Sequence, residues 1–250
     1  MKKIIVMVLV IALALSAFAG CAPKEQETLY MYTETGFPPF EYKDGTKTVG
    51  VDVDIANYIA KELNMKLEIK DVAFATICGA VAEHDNAIGL AGLTIDDERK
   101  LTVDFTTPYW EANLGIIYKK GALKPDANNV VKKSTLSGKK VGVQTGTSGD
   151  TAVQEISGAI AKQYDNALIA AQAIGTGCDY VVIDNIVAAN IVANATKLGL
   201  EWANLDSDAE YFALAVKKGN TELMKKVNPI IEKLIKDGKI EEFIANHKVG

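Results

Sequence analysis

Among the 27 lysines and arginines of this chain, Arg99 is the single arginine. It stands near the end of the run Gly92-Leu93-Thr94-Ile95-Asp96-Asp97-Glu98-Arg99-Lys100. A guanidinium differs in kind from an ammonium: its planar fork grips a carboxylate through two parallel hydrogen bonds and keeps its charge when desolvated. A chain that uses lysine for every other cation makes Arg99 a candidate carboxylate clamp. The structural alternative is a surface pair with Asp96 or Asp97, which would contribute little. A second polar set follows an apolar strand: Val141-Gly142-Val143 opens into Gln144-Thr145-Gly146-Thr147-Ser148-Gly149. That turn starts a helix, and a helix N-terminus suits an anion. The two histidines, His84 and His247, have no metal-site spacing. No metal or cofactor is expected.

Alternating short apolar strands and amphipathic helices must position these residues, the pattern of an α/β protein. Strands are expected at Leu29–Thr33, Leu67–Val72 and Ala87–Ala91, with helices at Asp52–Asn64 and Ala75–Ala82. In the first helix Ile55, Ile59 and Leu63 recur at four-residue spacing. A second unit repeats the logic. It has strands at Lys139–Val143 and Tyr180–Ile183, a helix from about Asp150 to Ala161, and another at Ile186–Ala195. Strands in both units end in small polar residues, and ligands of open α/β sheets gather at such carboxyl ends. Leu114–Lys119 and Tyr211–Lys217 are expected to cross between the units as a two-strand hinge. Helices at Glu222–Lys236 and Ile240–His247, broken at Gly238, complete the chain; Pro229 begins or kinks the first.

The N-terminus reads as a targeting signal. Lys2 and Lys3 precede an apolar run from Ile4 to Phe18, short for a membrane span of roughly 20 residues. Its end, Ala19-Gly20-Cys21, resembles a lipobox, although Phe18 departs from the usual aliphatic residue. Residues 1–20 are therefore expected to be a lipoprotein signal peptide, Cys21 the lipidated residue and 21–27 a polar tether. An ordinary signal peptide is the alternative. Loss of residues 1–20 removes two lysines and moves the formal charge from −5 to −7. Such an acidic surface gives no sign of nucleic-acid binding. Cys78 and Cys178 are expected to be buried and unpaired, since sequence gives no reason to bring their Cβ atoms together.

Several segments in order resemble one family, the polar amino-acid-binding receptors of ABC importers, with the bilobed fold of type II periplasmic binding proteins. They are Glu34-Thr35-Gly36-Phe37-Pro38-Pro39-Phe40-Glu41-Tyr42, Gly50-Val51-Asp52-Val53-Asp54, Ala91-Gly92-Leu93-Thr94-Ile95 with Glu98-Arg99-Lys100, Val103-Asp104-Phe105-Thr106-Thr107-Pro108-Tyr109, Gly138–Thr147 and Val182-Ile183-Asp184. Each alone is weak; their order and spacing make the likeness specific. The resemblance implies two α/β lobes joined by a two-strand hinge, lobe 1 from 28–112 and 212–250 and lobe 2 from 113–211.

It also implies roles for single residues. Arg99 pairs with a ligand α-carboxylate, Thr94 contacts the carboxylate and the amino group, and the backbone at Gly92 adds polar contacts. Thr147 and Ser148 cap the carboxylate from the other lobe, and Asp184 pairs with the α-ammonium. Phe37 and Phe74 sandwich the side chain, which Glu34 and Gln144 face. Each has a structural alternative: Thr94 or Asp184 as a helix cap, and the two phenylalanines as core. Ala75, where an acid or amide is common in the family, weakens the case for a guanidinium-specific pocket. The implied protein is a monomeric receptor outside the cytoplasm, anchored to the membrane by lipid alone. It would capture a polar amino acid, basic or amide first, and deliver it to a permease without chemistry on the ligand. The rivals are a cyclohexadienyl-type dehydratase on the same fold and a sensor domain.

Overall fold

A computed structural model describes residues 26–247. The expected signal peptide, Cys21 and most of the tether lie outside the described residues. The chain begins with β1 (Thr28–Thr33), a meander of β2 (Gly36–Phe37), β3 (Glu41–Asp44) and β4 (Lys47–Val49), then α1 (Val51–Glu62) and β5 (Lys66–Asp71). Helix α2 (Ile77–Ala82), preceded by a 3₁₀ turn at Phe74–Thr76, leads to β6 (Ala87–Gly89), β7 (Val103–Phe105), β8 (Trp110–Ala112), β9 (Leu114–Lys119) and β10 (Val130–Val131). Next come β11 (Lys140–Gln144), α3 (Ser148–Gln154), β12 (Ile160–Tyr164), α4 (Ala167–Gln172), β13 (Tyr180–Asp184) and α5 (Asn185–Asn194). The chain returns through β14 (Leu200–Leu205), β15 (Glu210–Phe212) and β16 (Ala215–Lys217) to α6 (Thr221–Lys236) and α7 (Lys239–His247).

Two main sheets organise the molecule. The first has the order β5-β1-β6-β16-β7, and the second β10-β14-β9-β13-β11-β12. In the first, β1 runs parallel to β5 and β6, while β16 runs antiparallel to β6 and β7. Leu29, Met31 and Thr33 alternate inward along β1, as a strand with one face on the core requires. All five residues of β13 are buried, as expected for a sheet covered on both faces. The apolar stripe of α6, Leu223, Val227, Ile231 and Leu234, packs into the core, and the helix continues through Pro229.

The crossing between the sheets differs from the one expected. Leu114–Lys119 forms β9, a central strand of the second sheet between β13 and β14, buried except at Lys119. The apolar run that suggested a bridge belongs to the middle of a lobe. The crossing is instead the short antiparallel pair β8–β15, with Trp110 opposite Phe212, Glu111 opposite Tyr211 and Ala112 opposite Glu210. Tyr211–Lys217 is split between this pair and β16. The helix expected at Asp150–Ala161 is also shorter: α3 ends at Gln154, and Ile160 already starts β12. Cys178 is buried and Cys78 half-buried, both as free thiols. Among the described residues no helix is long and apolar enough to cross a membrane, and no three His, Cys, Asp or Glu side chains cluster as metal ligands.

Candidate functional site

The site lies where strand ends of the two sheets meet the β8–β15 crossing. On the side of the first sheet, Asp52 at the start of α1 is wholly buried. Its carboxylate accepts from Gly92 N (2.9 Å) and from the Tyr109 hydroxyl (2.8 Å). Burial raises its pKa to about 6, against the pull of those two bonds. Glu41 is buried beside it, and burial followed by the Asp52 charge holds its pKa well above the carboxylate range, so that its carboxyl proton is shared in a hydrogen bond with Asp52. Asp52 thereby fixes the backbone at Gly92, whose φ of +55° favours glycine. A Cβ there would stand 2.6 Å from Phe37 Cε1.

Arg99 begins a 3₁₀ turn, and its guanidinium contacts both sheets' loops. Nη1 donates to the Thr94 carbonyl at 2.7 Å and Nη2 to the Gly146 carbonyl at 3.0 Å, while Nε pairs with Asp96 at 3.1 Å. The pairing with Asp96 offered by the sequence as an alternative is present, with the arginine side chain 11 % and the aspartate side chain 41 % exposed, so only the cation is shielded. A guanidinium carries five N–H groups, so one on each terminal nitrogen remains for a carboxylate. The Phe74 ring lies 5.2 Å from the guanidinium carbon, a cation–π contact.

The facing turn comes from the second sheet. Thr147 caps α3: its hydroxyl accepts from Asp150 N and donates to the Gln144 carbonyl. That hydroxyl is consumed locally, which differs from its expected ligand contact. Helix α3 is only seven residues long, so its dipole is a lesser asset than the sequence suggested. Asp150 holds the turn from below by accepting from Gly146 N, Gln154 Nε2 and Gln163 Nε2.

Asp184 ends β13 at the N-cap position of α5, but its side chain makes no cap bond. The helix-cap alternative therefore does not hold in this geometry. The side chain is buried and Oδ1 has no partner. Burial, then the Glu210 charge, raises its pKa well above the carboxylate range; Arg99 opposes them. Glu210, on the crossing strand β15, was not singled out in the sequence. One of its oxygens, Oε2, accepts from Thr94 Oγ1 at 2.9 Å and Ser148 Oγ at 2.6 Å.

Glu34 and Gln144 meet across the two lobes, Gln144 Nε2 donating to Glu34 Oε2 at 3.0 Å. Burial raises the Glu34 pKa to about 7, with the Gln144 bond opposing. The fit between lobes here is close, since a Cβ at Gly36 would come within 2.8 Å of Asn166 Cβ. Phe37 packs against Phe40 and Phe212, with centroids 5.8 and 6.2 Å away, while Phe74 stacks on Arg99. The two rings thus occupy different neighbourhoods, one in the core and one at the arginine. A cavity of about 640 Å³ lies beside Arg99, lined by Phe74, Cys78, Gly146 and Ser148 among others, and excludes Glu34 and Asp184. A larger one of about 760 Å³, near Glu62 and Lys217–Leu223, touches none of the residues above.

A family model described as bacterial extracellular solute-binding proteins, family 3, matches residues 29–248. The chain is 34 % identical to a probable histidine-binding protein of Neisseria gonorrhoeae, over 94 % of this chain and 91 % of that protein. It is 32 % identical to a putative ABC transporter arginine-binding protein 2 of Escherichia coli (strain K12), over 96 % of each. Among solved structures it is similar to an ancestral arginine-binding protein bound to arginine, with a TM-score of 0.81 and 37 % identity, covering 90 % of this chain and 99 % of that one.

Proposed function

This chain belongs to the bacterial extracellular solute-binding proteins of family 3, and on that premise we propose that it captures a basic or amide amino acid between its lobes for an ABC importer. The observation that carries the reading is Asp184: a buried carboxyl with an unpartnered oxygen, in the field of Arg99, at the meeting of two lobes. Uncompensated burial of such a group is costly. A ligand ammonium supplies the missing partner, and the two remaining terminal N–H groups of Arg99 receive the carboxylate bidentately. Glu34 and Gln144 then face the side chain. An acidic ligand would set its carboxylate against Glu34 with no second arginine to receive it. An aliphatic one would offer nothing to Glu34 and Gln144, which would keep only the bond they make to each other.

The relatives support this ranking, since their names state histidine and arginine, and the ancestral arginine-binding protein is also described bound to glutamine. A competition titration of arginine, glutamine, leucine and glutamate tests it. Arginine or glutamine should bind tightest; tightest binding by glutamate or leucine would overturn the pocket assignment. Failure of these four, and of histidine and lysine titrated alongside them, would sink the receptor reading.

In this reading the protein is a monomer outside the cytoplasm that hands over its ligand unaltered, with 28–112 and 212–250 as lobe 1 and 113–211 as lobe 2. Cys21 carries the lipid that holds it at the membrane. Replacement Cys21→Ala should release the protein to the soluble fraction on cell fractionation; retention equal to wild type would remove Cys21 as the anchor.

A further inference from the structure

Glu210 is an acid of the site that no sequence motif assigns. It stands on the three-residue crossing strand β15, opposite Ala112. Its Oε2 receives the Thr94 hydroxyl from one lobe and the Ser148 hydroxyl from the other, at 2.9 and 2.6 Å. A hydroxyl has one proton to donate and lone pairs with which to accept, whereas a carboxylate only accepts. Both hydroxyl protons are therefore directed at Glu210. Toward anything else in the site, Thr94 and Ser148 can present only lone pairs.

We propose that Glu210 is a specificity-determining residue: it fixes the Thr94 and Ser148 hydroxyls as acceptors and, with the unpartnered Oδ1 of Asp184, makes this end of the site select a primary α-ammonium. The inference rests on the amino-acid-receptor reading and deepens it. It also reassigns two residues. The sequence resemblance implied that Thr94 contacts both the carboxylate and the amino group and that Ser148 caps the carboxylate; with Glu210 in place neither hydroxyl proton is available to the carboxylate, which leaves Thr94 only its amino-group contact. The carboxylate falls to the terminal nitrogens of Arg99. One lobe, the other lobe and the crossing strand each contribute an oxygen-bearing side chain to the arrangement, so it is complete only when the lobes are together.

The test compares arginine with 5-guanidinopentanoic acid, its des-amino analogue, by calorimetry on the full mature chain. In Glu210→Gln the amide can donate to a hydroxyl and so frees its proton. Arginine should weaken at least about tenfold, which is about 1.4 kcal/mol, and the analogue less than threefold. Ser148→Ala is the second variant. It should show the same preference for loss of arginine, and its effect should shrink in the Glu210→Gln background because the two act as a unit. Equal loss of both ligands would reduce Glu210 to a closure or folding role. Tighter arginine binding in Glu210→Gln would mean that Glu210 competes with the ligand carboxylate, and would overturn the proposal. If wild type binds arginine and only these contrasts fail, the receptor reading stands and this inference falls. If wild type binds none of the amino acids titrated above, both fall.

Discussion

Asp52 and Asp184 are both aspartates near the start of a helix, both buried, and the molecule treats them in opposite ways. Asp52 is given two donors, the Gly92 amide and the Tyr109 hydroxyl, and becomes part of the scaffold. Asp184 is left with one oxygen unmatched and no cap bond to its own helix. Burial raises the pKa of each. In the proposed reading, what separates the scaffold carboxyl from the ligand-binding one is thus the partner inventory rather than depth. A fold that satisfies Asp52 internally has no need of a ligand there. A fold that leaves Asp184 unmatched can regain the cost only when something cationic arrives.

Amide substitution at the two positions should separate them. Asp184→Asn should weaken α-amino ligands by on the order of 2–5 kcal/mol, as when one partner of a buried charge pair is removed. Thermal stability without ligand should be unchanged or higher, because an unmatched carboxyl has been taken out. Asp52→Asn should do the reverse. Its amide turns one N–H-bearing face toward a donor, so stability should fall by about 1–3 kcal/mol, with a smaller effect on affinity transmitted through Gly92. Calorimetry and melting curves on both variants read this directly. Parallel losses in both would erase the distinction.

Proton linkage sharpens the same contrast with a smaller effect. Asp52 and Glu34 have pKa values raised to about 6 and about 7. A carboxyl raised in the folded state favours folding below its ordinary pKa, and that advantage is lost as pH rises through the folded value. Without ligand, stability should therefore fall between about pH 4 and pH 7. Arginine binding should move in the opposite direction. A cationic side chain needs Glu34 ionised, so arginine affinity should fall about tenfold more than leucine affinity from pH 8 to pH 6, the contribution of Asp184 to the pH dependence being common to both ligands. Titrations in buffers of different ionisation enthalpy should report proton release on arginine binding. An arginine profile parallel to that of leucine would place its side chain away from Glu34.

The legible parts of the sequence were those where one residue type has few uses. A lone arginine, a run Tyr180–Ile183 ended by an acid, and a polar turn after Val143 each pointed to the region where the lobes meet. The motif order also pointed to the bilobed fold, to which solved structures are similar. Glu210 was not legible, because Asp206-Ser207-Asp208-Ala209-Glu210 reads as an ordinary acidic loop before a strand. Asp52 was read only as the first residue of a helix. Nothing local distinguishes such an acid from one that reaches across to Gly92, forty residues later in the chain. The crossing was misread because a buried central strand and a lobe-to-lobe bridge share the same apolar run; only pairing partners separate them. Strand β12 escaped notice because it lies at a sheet edge, where Ile160, Lys162 and Gln163 are exposed and the inward–outward alternation is weak.

The contacts that join the lobes have a consequence for how strongly a ligand is felt. Gln144 reaches Glu34, and Arg99 reaches the Gly146 carbonyl, each at 3.0 Å and each between groups of the protein itself. Such contacts weight the closed members of the ensemble before any ligand contributes. Apparent affinity scales with the fraction of molecules already competent to bind. Part of the measured dissociation constant is therefore written in bonds between groups of the protein itself. Because Glu34, Gln144 and Arg99 also face the ligand in the proposed reading, a change that retunes closure at these side chains retunes recognition with it.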